Sequence, residues 1–298
     1  MHHYGAKLGV FTMHNPANQS ALIFTDLDGS LLDHDSYSFE PANNLLLELE
    51  SAAIPVIPIT SKTFAEVKKL RIKLGNQHPF IVENGAAIAI PKNYFSRPPE
   101  GCYEVADFWI VANSQPRDHW NTLLEENSQG FDGEFETFSS IYKTKGAEGI
   151  QEITGLSLDQ AELSNQRDFS EPIHWLGSEQ RKQAFIEKLT AAGGTLLQGG
   201  RFLALGGKVD KGCALLQLTE LYQQFRALPQ IHTLAIGDSG NDISMLEAAT
   251  SAIIIRSKTH PAPSLSREHN LIKSTAYGPD GWAQGVSLWY TNFLEIGS

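Results

Sequence analysis

The chain is poor in cysteine, in basic residues and in long apolar runs, and each shortage removes a class of protein. Cys102 and Cys213 are its only cysteines in 298 residues. They lie far apart and have no partners at metal-ligand spacing, so neither a disulfide framework nor a zinc ribbon organises the fold. No stretch of about 18 apolar residues occurs, so no helix is expected to span a bilayer. Lys and Arg total 23 against 34 Asp and Glu, a formal net charge of −11. Excess carboxylate repels phosphate backbones, so nucleic acid and anionic membranes are not expected partners. Residues 1–20 contain His2, His3, His14 and Pro16 but no apolar core of a secretory signal. They read as a frayed polar extension of a protein in a reducing, cytoplasmic setting.

With 41% hydrophobic and 19% charged residues, the chain has the composition of an ordinary globular protein and is long enough to bury a large core. Ala21 to Thr25 is a short apolar run ending in an Asp/Gly cluster, the pattern of a buried strand feeding a loop. Ile54 to Ile59 is a second run, but Pro55 and Pro58 cannot donate to a ladder and count against an interior strand. Thr63 and Glu66 form a capping-box pattern, Val67, Leu70 and Leu74 follow at helical spacing, and Gly75 is a natural stop. Phe80 to Val82 reads as a strand.

The rhythm returns later. Lys211 to Phe225 is helical, Thr233 to Ile236 a strand ending at Gly237-Asp238, Ile243 to Glu247 a short helix and Ala252 to Ile255 a strand. Strand, acidic loop, helix, strand predicts a parallel sheet wrapped by helices. Between roughly Pro91 and Gly206 the texture changes to polar residues and turns. A strand at Ile173 to Leu176, a helix at Glu179 to Ala191 and a hairpin of Thr195 to Gln198 and Arg201 to Leu205 about Gly199-Gly200 predict an inserted α+β domain.

Two loops carry the chemistry. Asp26-Leu27-Asp28-Gly29 alone is a common turn. It is not an EF-hand loop, because Gly29 falls at the fourth position and Tyr37 at the twelfth. Gly237-Asp238-Ser239-Gly240-Asn241-Asp242 also follows a buried strand. In a parallel sheet such loops converge on one crevice, gathering three or four carboxylates. Their repulsion is relieved by a hard divalent cation, with Mg²⁺ the usual choice beside phosphate.

Asp26-Leu27-Asp28-Gly29-Ser30, Thr60, Lys211 and the Gly237 to Asp242 loop resemble, in order, the four motifs of the haloacid dehalogenase-like phosphatases. The resemblance implies a Rossmann-like doubly wound α/β core (residues 21–90 and 207–298) with an inserted α+β cap (residues 91–206). It implies that Asp26 is the nucleophile and that Asp28 serves as general acid and then base. Thr60 and the Ser61 amide would bind phosphoryl oxygens, and Lys211 would neutralise them. A lysine at a helix start opposes the helix dipole, which favours this role over a bland one. Mg²⁺ would be held by Asp26, the Asp28 carbonyl and Asp238. Asp242 is either a ligand through water, an orienting residue or an acidic first-turn residue.

Thr25 to Tyr37, Ile59 to Thr63, Ile81 to Ile88, Gly200-Arg201-Phe202 and Asp210-Lys211-Gly212 are similar to the mannosyl-3-phosphoglycerate phosphatase family. Thr60-Ser61-Lys62 replaces the superfamily's commoner Thr-Gly-Arg, and Ser30 stands where Thr is more usual. The likeness implies a small-molecule substrate, a glycosyl-3-phosphoglycerate, carrying a phosphate and a carboxylate. Arg167, Arg201 and Asn84 are candidates to bind it, each with a structural alternative. Trp109, Trp120 and Trp175 are expected to pack rather than stack on sugar. Glucosyl-3-phosphoglycerate, sucrose phosphate, or a non-catalytic binding role remain the alternatives.

Overall fold

The computed structural model describes residues 20–199 and 201–296, so the extension over residues 1–19 and Gly200 of the expected turn lie outside it. Among the described residues the strands are β1 (Ser20–Thr25), β2 (Val56–Pro58), β3 (Phe80–Val82), β4 (Ala87–Pro91), β5 (Tyr103–Val105), β6 (Phe108–Ala112), β7 (Phe135–Thr137), β8 (Glu171–Trp175), β9 (Thr195–Gly199), β10 (Phe202–Gly206), β11 (Ile231–Gly237), β12 (Ser251–Arg256) and β13 (Leu271–Tyr277). The helices are α1 (Asn43–Ser51), α2 (Phe64–Leu74), α3 (Arg117–Asn127), α4 (Phe138–Thr154), α5 (Leu158–Asn165), α6 (Glu179–Ala191), α7 (Lys211–Arg226), α8 (Ile243–Ala248) and α9 (Gly278–Ile296). None of the described helices is long and apolar enough to cross a membrane.

A parallel sheet in the order β13-β12-β11-β1-β2 forms the centre, as the strand and helix rhythm predicts. Alternate residues of a strand face opposite sides, so an apolar run such as Ala21 to Phe24 serves two cores at once. Ala21 and Ile23 join the layer of α1, α2 and α9, with Leu49, Val67 and Trp282. Leu22 and Phe24 join the layer of α7 and α8, with Leu215, Leu218 and Met245. This two-sided burial makes the sheet doubly wound.

The prolines of β2 do not prevent it from pairing. Ile23 donates to the Pro55 carbonyl and Ile59 to the Thr25 carbonyl, each at 2.9 Å. Donors on a strand alternate in direction, so the N–H that Pro58 lacks belongs to the side away from β1. On that side the chain just past β2 meets β3 at the bridge between Ile59 and Ile81.

Beyond that bridge lies an antiparallel sheet ordered β3-β4-β6-β5. The 90/91 division falls inside this sheet, because β6 pairs with β4. Its Phe108, Trp109 and Ile110 are buried in the two main cores. A second antiparallel sheet, β7-β8-β10-β9, belongs to the inserted α+β unit. Its separate core includes Trp120, Ile173, Phe185, Leu189 and Leu203. The expected hairpin is present, with Phe202 opposite Gly199. The Thr63 capping box of α2 also forms, and Gly75 ends that helix in the left-handed region at φ 64°.

Candidate active site

Neighbouring parallel strands bring their carboxyl ends to one edge. In the pairing of β1 with β11, Thr25 lies opposite Ile236. The Asp26 amide extends the ladder by donating to the Ile236 carbonyl at 2.8 Å. Residues 26 and 238, remote in sequence, therefore leave the sheet side by side. Side-chain oxygens of Asp26, Asp238 and Asp242 lie within 4.8 Å of one another, and all three residues are buried.

Lys211 is the counter-charge. It opens α7, is fully buried, and donates to Asp26 Oδ1 at 2.7 Å and to Asp242 Oδ1 at 2.6 Å. Its unfavourable place at a helix N-terminus is offset by these two carboxylates. The other Asp242 oxygen accepts from the Asp238 and Ser239 amides, both at 3.1 Å, and from Ser239 Oγ at 3.2 Å. Asp242 thus organises its own loop and fixes the lysine. Two glycines make room for this. A Cβ on Gly29, at φ 77°, would fall 2.6 Å from Asp238 Oδ2, and one on Gly237 would fall 2.5 Å from Asp242 Cβ.

Burial pushes the Asp26 carboxyl up to about 8, with Lys211 pulling it down and Asp242 and Asp238 raising it further. Burial and Asp242 likewise push Asp238 up to about 6, against His260, whose Nε2 lies 3.2 Å from Asp238 Oδ2. Burial pulls Lys211 down, but Asp242 and Asp26 outweigh it and hold the ammonium above its ordinary range. Three buried carboxylates facing one ammonium leave unbalanced negative charge. A hard, all-oxygen donor set of that charge fits Mg²⁺.

Asp28 stands apart from this group. Its Oδ2 pairs with Lys62 Nζ at 2.7 Å, while its buried Oδ1 has no protein partner. Thr60, two residues past β2, is buried, and its Oγ1 accepts from the Lys62 amide at 3.2 Å. The Thr60 carbonyl accepts from the Asn84 amide at 2.9 Å. Asn84, left-handed at φ 59°, accepts at Oδ1 from Asn241 Nδ2 at 3.1 Å, tying its turn to the second acidic loop.

Arg167 reaches this loop from the α+β unit. Nη1 and Nη2 both donate to the Ser61 carbonyl at 3.3 Å. Arg201 does not come to the acidic group. It donates to the Thr154 carbonyl and lies over the Phe202 ring, both in its own unit. Trp109, Trp120 and Trp175 pack in hydrophobic cores, as expected.

Three contributors escaped the sequence reading. Glu83, buried and left-handed at φ 48°, accepts from the amides of Asp168 at 2.8 Å and Phe169 at 3.3 Å and from Ser170 Oγ. It also lies 3.7 Å from Arg167 Nη1, so it clamps the α+β unit to the turn between β3 and β4. A carboxylate placed straight after the apolar strand Phe80 to Val82 was the available signal. Trp282 Nε1 donates to Thr25 Oγ1 at 3.0 Å, and that hydroxyl donates to the Asp26 carbonyl at 2.8 Å. His260 is the third. Neither of these two has a local sequence signature, because each acts across the fold.

The profile of the haloacid dehalogenase-like hydrolases matches residues 23–98 and 135–268. The glucosyl-3-phosphoglycerate/mannosyl-3-phosphoglycerate phosphatase of Methanococcoides burtonii is 34% identical over 268 residues, covering 89% of this chain and 95% of that protein. The protein of the same name from Persephonella marina is 33% identical over 291 residues, covering 93% of this chain and 99% of the relative. The sucrose-phosphatase of Synechocystis sp. PCC6803, solved with sucrose and phosphate, shares the fold with a TM-score of 0.57 and 16% identity, over 91% of this chain and 98% of that one. The chain belongs to the haloacid dehalogenase-like hydrolases and is a phosphoric monoester hydrolase.

Proposed function

We propose that this enzyme hydrolyses a glycosyl-3-phosphoglycerate, mannosyl-3-phosphoglycerate first and the glucosyl compound second, to a glycosylglycerate and phosphate in the cytoplasm. The relatives' printed substrates support the choice. The observation that carries the chemistry is the buried Lys211 bridging Asp26 and Asp242 beside Asp238.

Asp26 forms a bond to phosphorus while the ester P–O bond breaks, giving an aspartyl-phosphate. Asp28 gives a proton to the departing alkoxide, then takes one from the water that releases phosphate. Lys211 stands against the Asp26 oxygen where charge spreads in a loose transition state. The side chains of Asp26 and Asp238 and the Asp28 carbonyl would hold Mg²⁺, with Asp242 a ligand through water or an orienting residue, and the ion would supply neutralisation of the phosphoryl charge.

The inserted unit serves as the cap and brings Arg167 to the substrate's carboxylate, while Ser61 and Asn84 bind from the core loops. The test is a turnover screen of glycosylphosphoglycerates, sucrose phosphate and simple sugar phosphates with Mg²⁺. The reading requires a preference for the carboxylate-bearing esters and falls if sucrose phosphate is used better. Arg167→Ala should lower kcat/KM for the preferred glycosylphosphoglycerate by on the order of 10- to 100-fold, the value of a charge-assisted hydrogen bond. Loss on a small aryl phosphate should be several-fold smaller, and equal losses would remove Arg167 from the binding site.

A further inference from the structure

Lys62 has no role in the chemistry described so far, yet its ammonium is tightly held beside the acidic group. Its side chain is 14% exposed. Its amide donates to Thr60 Oγ1, and its carbonyl accepts from the Glu83 amide at 3.0 Å. Its ammonium lies 2.7 Å from Asp28 Oδ2, 3.9 Å from Glu66 Oε1 and 5.2 Å from the centre of the Tyr37 ring. Glu66 is itself held, because its Oε2 accepts from the Thr63 amide at 2.8 Å in the capping box of α2. Burial pulls the ammonium down, but Asp28 and Glu66 outweigh it, so the charge persists.

This chain of contacts runs from the start of a helix to one oxygen of Asp28. Asp28 needs such support, since its side chain is 37% exposed and would otherwise change rotamer. A partly exposed ion pair adds little to stability. Holding a reacting group in line is worth far more, because small misplacements cost about 10²-fold in rate.

We infer that Lys62 is a positioning residue, whose ammonium engages Oδ2 of Asp28 and holds that carboxyl in one orientation for its work as acid and then base. The inference rests on the acid–base role proposed for Asp28. In the first step the Asp26–phosphorus bond forms, the phosphorus–alcohol bond breaks, and the Asp28 proton passes to the leaving oxygen. In the second, water bonds to phosphorus, its proton goes to Asp28, and the Asp26–phosphorus bond breaks.

The experiment compares kcat/KM of the full-length Mg²⁺-loaded enzyme on its best sugar-derived phosphate and on p-nitrophenyl phosphate. This parameter reports steps through departure of the alcohol. Nitrophenolate leaves with little help from an acid, whereas an alkoxide needs the proton. Lys62→Met should lose about 10²-fold on the alkyl ester, within the usual range for acid catalysis, and at least tenfold less on the aryl ester. Lys62→Arg should recover most of the loss, and on an Asp28→Asn background Lys62→Met should add nothing. Equal losses on both esters, or additive losses with Asp28→Asn, overturn the inference. Should Lys62→Met fail to fold, Lys62→Gln carries the same comparison. Undiminished alkyl-ester turnover by Asp28→Asn alone would instead bring down the acid–base reading.

Discussion

Asp26→Asn is expected to abolish turnover while leaving the chain folded. Removing one member of a catalytic unit costs on the order of 10⁴- to 10⁶-fold in rate. An amide has neither the charge nor the basicity to attack phosphorus, so the loss should hold for every ester. The change in stability carries a distinct signature. The Asp26 carboxyl, pushed up to about 8 by burial, binds its proton more tightly folded than unfolded. Its contribution is therefore fully present below about pH 4 and is lost as pH rises towards 8. Asparagine does not ionise, so in EDTA the variant should match the parent Tm near pH 4 and exceed it by a margin that grows towards pH 8. Lys211 keeps a partner in Asp242, at 2.6 Å, which protects the fold. Retention of near-normal Mg²⁺-dependent turnover would end the nucleophile assignment.

Removal of divalent metal is the second large effect. EDTA should reduce turnover by several orders of magnitude, and excess Mg²⁺ should restore it. Binding must displace the protons that burial favours on Asp26 and, more weakly, on Asp238, raised to about 8 and about 6. Mg²⁺ affinity should then rise between pH 6 and pH 8, by up to about tenfold per unit for each displaced proton. Since a ligand at 100 times its Kd stabilises by about 2.7 kcal/mol, a thermal melt can follow this. The Mg²⁺-induced rise in Tm should be larger at pH 8 than at pH 6. Full activity in EDTA, or an increment that shrinks with pH, would refute a magnesium site built on these carboxylates.

Much of this centre was legible from local chemistry. Asp26 and Asp238 each follow an apolar run that the hydrophobic effect buries as a strand, and parallel pairing then places their loops on one edge. Lys211 was recognisable because a cation at a helix start contradicts the dipole and needs a reason. Asp242 resisted a single assignment because its two oxygens face different partners, one organising its own loop and the other binding Lys211. For Arg201 a glycine-rich hairpin suggests substrate approach, while side-chain reach depends on how the α+β unit packs, and there its guanidinium donates to the Thr154 carbonyl.

Trp282 and His260 were invisible for a common reason. Each acts on a partner with no local relation to it in sequence, and Trp282 lies 257 positions from the threonine it supports. The sequence alone determined the alternation of strands and helices, the acidic loops and the types of group they carry, because these follow from hydrophobic period, turn propensity and charge. Only the tertiary structure decided which β-strand lies beside which, that β6 continues the sheet of β4, and that Lys62 pairs with the Asp28 side chain. Such pairings are chosen by packing and by the energy of buried charge, which depend on neighbours that the chain order does not specify.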